Sequence, residues 1–294
     1  MGDRVIDLSE QGAYLSLRNG LLCVKAESGT AEVPVDELAV VIAANPQVTF
    51  THGALSALAQ AGVMVVCCDE KRLPAAMLLA VQGNHVQTER FARQVAVSEP
   101  TRKRLWQQVV QEKIRAQARV LMERNGQDAG LGPLANTVRS GDPDNLEAQA
   151  ARRYWSALFP VGFRRNPMDE DQNILLNYGY AVVRALVARS IVGAGLHPSF
   201  GLHHHNRGNP FCLADDLMEP LRPMVDRVVA RWVDEHGPQA PLDRAARAAL
   251  VGVCLGPAAI EGETRALPDA VFRMASSLEA VFAGRGKRLS IPDV

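Results

Sequence analysis

The sequence lacks the features of an exported or membrane protein. No apolar run approaches the ~20 residues needed to cross a bilayer. The first ten residues, MGDRVIDLSE, have none of the apolar core of a signal peptide. The five cysteines are odd in number and show no CxxC spacing, which argues against a disulfide framework and a structural zinc site. We therefore expect a cytoplasmic protein with reduced thiols and no membrane partner.

The motifs of several enzyme classes are also absent. No glycine-rich phosphate loop follows a predicted strand, and the sequence contains no Walker motif, GxSxG or HExxH. No cysteine has an evident base beside it in the sequence. These absences argue against a nucleotide-binding fold, a serine hydrolase and a zinc protease. A metal-assisted reaction at a phosphodiester remains compatible with the residues that are present.

The first eighty residues have the pattern of short β-strands. Asn19-Gly20 is the signal of a tight hairpin, because both residues tolerate positive φ. One helix interrupts the strands, with Thr51 as its N-cap and Gly62 at its end. The predicted strands are RVIDL, AYLSL, LLCVKA, AEVPV, LAVVIA, QVTF, VMVVCC and AAMLLAV.

From about Gln82 onward, apolar residues recur with the period of a helix. The predicted fold class is α+β, with a β-rich, β-sandwich-like domain at residues 1–82 followed by a larger all-α domain at residues 83–294. A small β-rich domain leaves strand edges and an apolar face uncovered, so we expect a homodimer through it. Helices are predicted at about 87–97, 100–123, 143–158, 172–193, 213–235, 240–255 and 266–283.

Charge is balanced over the chain but unevenly distributed along it. The 32 Lys and Arg equal the 32 Asp and Glu, yet residues 1–90 hold 6 basic against 10 acidic side chains. The remainder is correspondingly basic, and the sharpest local excess runs from Arg102 to Arg124. Such a stretch is usually a solvated helix face, but it also allows a neutral protein to bind phosphates locally.

A carboxylate at position 147 is a candidate ligand or catalytic residue. If Asp142 is the N-cap and the following proline lies in the first turn, Glu147 shares a face with the apolar Tyr154 and Leu158. A buried carboxylate of this kind needs a cation as partner. Alternatively, Asp144 is the N-cap and Glu147 is the second member of a capping box, which is a structural role.

The stretch GLHHHNRGNPFCLADDLMEP is dense in metal-binding side chains. Asp216 and Glu219 are three residues apart on a predicted helix and share a face. His204 precedes them in a loop whose glycines and proline can fold it back over that helix. Together with Glu147, this set suits Mg²⁺ or Mn²⁺ better than a structural zinc. Taken singly, each residue is explained as well by a polar loop or by first-turn acids that complement the helix dipole.

The three adjacent histidines leave a choice of ligand. In an extended segment neighbouring side chains alternate sides, so His204 is predicted to point away from His203 and His205. Asp215 and Asp216 present a similar choice. The pattern alone does not select among these residues.

The chain resembles the CRISPR-associated spacer integrases, the universal adaptation endonuclease family, in the form that accompanies type II systems. The resemblance runs from end to end. It is carried by NLEAQAARRYW around Glu147, by LLNYGYAVVRALVAR from Leu175 and by GLHPSFGLHHHNRGNPFCLADDLMEPLRP. It implies an N-terminal β domain for dimerisation and a helical catalytic domain that binds the metal.

The resemblance also implies roles for single residues. By position, the family's catalytic metal ligands fall on Glu147, His204 and Glu219, and Asp216 matches an acidic position close to the metal. The implied cofactor is Mg²⁺ or Mn²⁺. The basic residues predicted to hold DNA phosphates without reading sequence are Arg102, Lys103, Arg104, Lys113, Arg115, Arg152, Arg153, Arg164 and Arg165.

The implied reaction is DNA integration. The 3′-hydroxyl of a short captured duplex attacks a phosphodiester at the edge of a CRISPR repeat, which exchanges one ester for another and needs no nucleotide energy source. The implied partners are double-stranded DNA, a second copy of the chain, a small dimeric adaptation protein and the type II RNA-guided effector nuclease. Two alternatives are a metal-dependent phosphohydrolase of small phosphoesters and a catalytically idle DNA-binding scaffold.

Overall fold

The computed structural model describes residue 2 and residues 4–69, 74–159 and 162–294. Its N-terminal part consists of strands and one helix, as predicted. Asn19 and Gly20 have φ of 50° and 77° and form the predicted hairpin turn. The elements are β1 (Arg4–Leu8), β2 (Ala13–Arg18), β3 (Leu21–Ala26), β4 (Gly29–Pro34), β5 (Leu38–Ala43), β6 (Thr49–Phe50), α1 (His52–Gln60), β7 (Met64–Cys68) and β8 (Pro74–Leu78).

The eight strands form two four-stranded sheets. In the order β1-β5-β7-β8, the first three strands are parallel and β8 is antiparallel. In the order β4-β3-β2-β6, strands β4, β3 and β2 are antiparallel to their neighbours, and β6 lies parallel to β2 at the edge. Leu15 and Leu22 of the second sheet pack with Val41 and Val65 of the first and with Leu58 of α1 in one core cluster. This sandwich-like packing agrees with the predicted fold class.

Strand β5 is buried on both faces. Leu38 and Val41 belong to the core between the sheets, whereas Val40 and Ile42 belong to the larger core of the helical part. A strand covered on both sides has no polar alternation, which explains the continuous apolar run LAVVIA. The strand therefore connects the two cores.

The C-terminal part is mainly helical and differs from the prediction in three places. A short helix, α4, was not predicted, and a two-stranded hairpin lies in the region predicted to be entirely helical. The predicted helix 213–235 is divided by a 3₁₀ turn at Glu219–Leu221, where a proline removes a backbone donor. The elements are α2 (Gln87–Ala96), α3 (Glu99–Asn125), α4 (Leu131–Thr137), α5 (Leu146–Leu158), α6 (Asn173–Gly193), α7 (Cys212–Met218), α8 (Arg222–His236), α9 (Arg244–Val253), β9 (Pro257–Ile260), β10 (Glu263–Ala266) and α10 (Leu267–Phe282).

Helix α6 is the central element of the helical part. It packs against α7, α8, α9 and α10 and against β5 and β7. By length and composition, this 21-residue helix is apolar enough to cross a membrane, but 78% of its apolar window is buried inside the fold. Gly179 permits the close approach of α8, because a Cβ there would lie 2.4 Å from Cγ1 of Val225. The apolar character of α6 is therefore explained by its position in the core.

A buried arginine joins α6 to the strands. The guanidinium of Arg189 donates to the backbone carbonyls of Gly62 at 2.8 Å, Gly2 at 3.2 Å and Leu38 at 3.3 Å. Burial lowers the pKa of Arg189 to about 10. These hydrogen bonds satisfy carbonyls at the ends of three segments, which fixes the helical part against the first sheet.

Candidate active site

The histidine loop is organised by one buried carboxylate. Asp216 lies in α7 with no exposed surface. Its Oδ2 accepts from the backbone N–H of Leu202 at 2.5 Å and of His203 at 3.0 Å. Its Oδ1 accepts from the N–H of His204 at 3.2 Å and lies 2.5 Å from the Nδ1 of the same residue. Asp216 therefore folds the loop over α7 and orients the His204 ring.

His204 is oriented for chemistry at its other ring nitrogen. The hydrogen bond with Asp216 raises its pKa above the usual value, although burial opposes the shift. Because Nδ1 faces the carboxylate, Nε2 is the ring nitrogen available to a ligand. A carboxylate behind an imidazole is the arrangement that fixes the tautomer of metal-binding histidines. A cavity of about 420 Å³ lies beside this residue, and Arg102, Phe200 and Asn206 line part of it.

The neighbouring histidines have other environments. His203 stacks on the buried Trp106 with ring centroids 4.4 Å apart, and His205 Nδ1 contacts the His204 carbonyl at 2.7 Å. The predicted alternation of sides is wrong. The segment is not a strand, and the His203 and His204 rings both contact Trp106. The two aspartates also have different environments, because Asp215 pairs with Arg184 at 2.8 Å.

Helix α5 begins later than either alternative predicted. Its first residue is Leu146, and Asn145 precedes it with φ of 51°. Asp142 nevertheless caps the helix from the loop, because its carboxylate accepts from the N–H of Leu146 at 2.9 Å and of Glu147 at 3.0 Å. Glu147 therefore lies in the first turn, where the helix dipole stabilises its negative charge.

Glu147 and Glu219 meet at one ammonium group. Lys113 Nζ lies 2.6 Å from Oε1 of Glu147 and 2.5 Å from Oε2 of Glu219. Arg222 Nε lies 2.9 Å from the other oxygen of Glu219. Burial would raise the pKa of Glu219, but Arg222 and Lys113 lower it to about 2. For Lys113 the effects have the opposite sign: burial would lower its pKa, but the two carboxylates raise it overall.

Lys113, predicted among the basic residues that hold DNA phosphates, instead lies inside the fold. Its side chain is only 13% exposed and forms the centre of the acidic cluster. Sequence reasoning also put Asp216 and Glu219 on one face toward one ion, but they face different partners. The end of α7 tightens into the 3₁₀ turn at Glu219, so that carboxylate turns toward α3.

The donor set fits a divalent cation in its chemistry. Among the described residues, no three His, Cys, Asp or Glu side chains converge closely enough to ligate one ion as they stand. Two carboxylate oxygens do converge on one cationic group, and Glu219 Oε2 is buried without a hydrogen bond of normal geometry. Glu147 and Glu219 could hold Mg²⁺ or Mn²⁺ in the place of the ammonium. The charge of His204 also contributes to lowering the pKa of Glu219.

A second buried cluster lies behind this site and was not predicted. Tyr154 donates to Oδ2 of Asp226 at 3.0 Å, and Tyr180 donates to Oδ1. The Arg222 guanidinium lies over the Tyr180 ring, 4.6 Å from its centroid. Burial raises the pKa of Asp226 to about 7. The only sequence signal was the predicted inward position of Tyr154.

The predicted DNA-binding residues fall into two groups. Within the described chain, Arg152, Arg153 and Arg164 are exposed and their side chains form no ion pair or hydrogen bond. The others have partners. The contacts are Arg102 with the Val97 carbonyl, Lys103 with Glu99, Arg104 with Thr101, Arg115 with Glu112, and Arg165 with Asn173 and Asn177.

Comparison with solved structures defines the fold class. A casposase bound to integration product superposes with a TM-score of 0.80 at 17% identity, covering 98% of this chain and 93% of that chain. A Cas6-RT-Cas1–Cas2 complex superposes with a TM-score of 0.75 at 19% identity, covering 97% of this chain and 36% of that chain. At these identities the likeness establishes the fold, which is that of Cas1 proteins and casposases.

The sequence establishes the family. The family model described as "CRISPR associated protein Cas1" matches residues 6–241. A CRISPR-associated endonuclease Cas1 from Neisseria meningitidis serogroup C (strain 8013) is 38% identical over 290 residues, covering 98% of this chain and 95% of that protein. The chain belongs to the Cas1 family, which confirms the resemblance found in its motifs.

Gly201→Ala should disturb the histidine loop. A Cβ at this position would lie 2.4 Å from the His204 carbonyl oxygen and 2.8 Å from Asp216 Oδ2. Because Asp216 Oδ2 is already held by the N–H groups of Leu202 and His203, the loop has little room to adjust. We expect a loss of about 1–3 kcal/mol in the free energy of unfolding, measured with urea. Gly208→Ala is the matched control, since a Cβ there meets only Asn206 Oδ1 at 3.6 Å. Equal stabilities of the two variants would contradict this account of the loop.

Asp226→Asn should flatten the pH dependence of stability. Burial raises the pKa of Asp226 to about 7 in the folded protein, whereas an unfolded Asp has a pKa of about 3.9. The folded state therefore keeps a proton that the unfolded chain releases. Stability should fall as pH rises from about 4 to 7, with a slope of up to about 1.4 kcal/mol per pH unit. The amide cannot ionise, so urea unfolding from pH 5 to 8 should reveal a smaller decline than in the wild type. An identical decline in both proteins would exclude Asp226 as its source.

Proposed function

We propose that the protein is a metal-dependent DNA integrase and endonuclease that inserts short captured DNA into a CRISPR array. The observation that carries the proposal is the convergence of Glu147 and Glu219 on one cation, together with a His204 ring that Asp216 orients. It is supported by the 38% identity to a protein named CRISPR-associated endonuclease Cas1 and by the fold shared with a casposase bound to integration product.

The proposed reaction is an in-line exchange of esters. The 3′-hydroxyl of the incoming strand attacks a phosphorus at the repeat edge, a new phosphodiester forms, and the displaced 3′-oxygen leaves with a proton. Hydrolysis is the same displacement with water as nucleophile. A bound Mg²⁺ or Mn²⁺ supplies stabilisation of the charge on the attacking and leaving oxygens.

The side chains have separate parts in this mechanism. Glu147 and Glu219 hold the cation, and His204 offers Nε2 as the nitrogen ligand. Asp216 keeps the imidazole oriented through its 2.5 Å contact to Nδ1. Arg222 holds the second oxygen of Glu219 at 2.9 Å and limits the movement of that carboxylate. Rigid support of this kind positions the reacting groups, which is how a protein contributes to phosphoryl transfer.

DNA binding is proposed to rest on the unpaired arginines. Arg152, Arg153 and Arg164 are exposed cations without internal partners in the described chain, so their charge is available to phosphates. Phosphate contacts position a duplex without reading its sequence. The paired residues of α3 contribute less, because each would have to leave an existing partner.

The proposed assembly contains further copies and proteins. Dimerisation through the strand-rich part is supported by the exposed Tyr14 and Leu17 of β2, which are 49% and 40% exposed. A small dimeric partner is supported by the shared fold with a chain of a Cas6-RT-Cas1–Cas2 complex. The proposal also includes the type II effector nuclease as a partner and a cytoplasmic location for the protein.

Loss of a metal-site side chain should abolish strand transfer. We expect Glu147→Gln, His204→Ala and Glu219→Gln each to lower Mn²⁺-dependent transfer more than about 100-fold. His203→Ala and His205→Ala should lower it less than about 10-fold, because neither ring shares the contact with Asp216. The assay joins a labelled duplex to a repeat-containing plasmid, and a 3′-dideoxy duplex is its chemical control.

The same assay separates the alternatives. Activity that survives in His204→Ala but is lost in His203→Ala or His205→Ala would reassign the ligand. DNA binding without transfer or cleavage at any Mn²⁺ concentration would indicate an idle scaffold. Hydrolysis of bis-p-nitrophenyl phosphate without any reaction on DNA would indicate a phosphohydrolase of small esters.

Neutralising the unpaired arginines should reduce the salt dependence of DNA binding. In Arg152→Gln/Arg153→Gln/Arg164→Gln, the log-log slope of affinity against salt should fall by about 0.9 for each phosphate that the variant no longer binds. The control has the same charge change at paired residues, Arg227→Gln/Arg231→Gln/Arg265→Gln. Fluorescence anisotropy with two unrelated duplexes would measure both variants. A slope that falls only in the control would contradict the assignment.

A further inference from the structure

Lys113 is a buried cation that the proposed chemistry does not use. It projects from the middle of α3 to a point between α5 and the 3₁₀ turn that follows α7. Its Nζ lies within 2.6 Å of one oxygen of Glu147 and one of Glu219. The Glu219 side chain is only 6% exposed, so water screens these charges poorly.

The cluster is electrically balanced with the ammonium in place. Two carboxylates, Glu147 and Glu219, face two cations, Lys113 and Arg222. The two carboxylates repel each other, and the nearly buried Glu219 would be strongly destabilised without a cationic partner. The ammonium therefore holds the two carboxylates together and stabilises the fold at this point.

A divalent cation and the ammonium compete for the same oxygens. Mg²⁺ binds carboxylate oxygens at about 2.1 Å, and the ammonium already lies at hydrogen-bond distance from one oxygen of each carboxylate. An ion held by both carboxylates would lie next to Nζ and be repelled by it. The lysine stem has several rotatable bonds, which allows the ammonium to move without movement of α3.

We propose that Lys113 is an exchangeable internal counter-ion, which holds Glu147 and Glu219 together before metal binding and leaves the space between them when a divalent cation binds. The inference rests on the proposed metal-dependent function. The exchange changes the charge of the cluster from zero to plus one, because Arg222 remains. A positive cluster attracts a phosphodiester, whereas the balanced cluster does not. Lys113 thus links metal binding to DNA binding at the site.

Direct metal binding tests the exchange. Lys113→Gln should bind Mn²⁺ about ten-fold more tightly or better, measured by the electron paramagnetic resonance of free Mn²⁺. Its unfolding temperature in EDTA should be lower than that of the wild type, and Mn²⁺ should raise that temperature more. Lys113→Arg, which keeps the charge, should not gain affinity. Lys103→Gln is the matched control, because it breaks a pair with Glu99 on the same helix, and its Mn²⁺ affinity should equal that of the wild type.

The wild-type protein provides a second measurement that needs no variant. Acetylation by an amine reagent, followed by mass spectrometry, reports the accessibility of each lysine. Lys113 should react slowly in EDTA and several-fold faster with Mg²⁺, while the exposed Lys103 should react equally under both conditions. Unchanged labelling of Lys113 would overturn the exchange even if the glutamine variant fails to fold.

The outcomes separate this inference from the proposed function. If wild-type Mn²⁺ binding is lost in Glu219→Gln but Lys113→Gln binds no more tightly, the counter-ion exchange is wrong and the metal site stands. If neither the wild type nor Lys113→Gln binds Mn²⁺, both proposals are wrong. Tighter binding by Lys113→Gln together with metal-dependent labelling of Lys113 supports the exchange.

Discussion

The helical part of this protein is arranged around a pair of carboxylates that must share a cation. Glu147 comes from the first turn of α5 and Glu219 from the 3₁₀ turn after α7, and both reach one ammonium from α3. Arg222 from the start of α8 completes the cluster. Segments from three distant parts of the sequence meet here, and removing either sign would leave a buried charge without a partner. The oxygen donors of the pair are of the kind that divalent cations bind.

Around this pair, the structure fixes groups by hydrogen bonds from the backbone and from rigid side chains. Asp216 accepts three N–H groups and holds one imidazole. Asp142 fixes the start of α5 from the preceding loop. Tyr154 and Tyr180 share one buried carboxyl group behind the site. Asp142, Asp216 and Asp226 thus have different partners, whereas Glu147 and Glu219 share one, and the roles of these acids follow from their partners.

The distribution of charge has a similar explanation. The net charge of the chain is zero, but free positive charge is unevenly distributed over it. Most basic side chains of α3 have acidic or carbonyl partners. Arg152 and Arg153 lie on α5, the same helix as Glu147, and Arg164 lies in the segment that follows it. The basic stretch in the sequence therefore overstated the charge available on α3, whereas these three predicted arginines have no side-chain partner among the described residues.

Local patterns in the sequence were enough to locate most elements and to recognise the family. Apolar patterning identified the eight N-terminal strands and most helices, because these patterns follow from which faces are buried. The block from Gly195 to Pro223 and the segment around Glu147 were sufficient to recognise the Cas1 family. Packing across the fold set the start of α5 at Leu146, the 3₁₀ turn at Glu219 and the position of Lys113. Asp142 and the proline are visible in the sequence, but which backbone groups a cap satisfies and which charges meet across long sequence separations depend on tertiary contacts that no local pattern encodes.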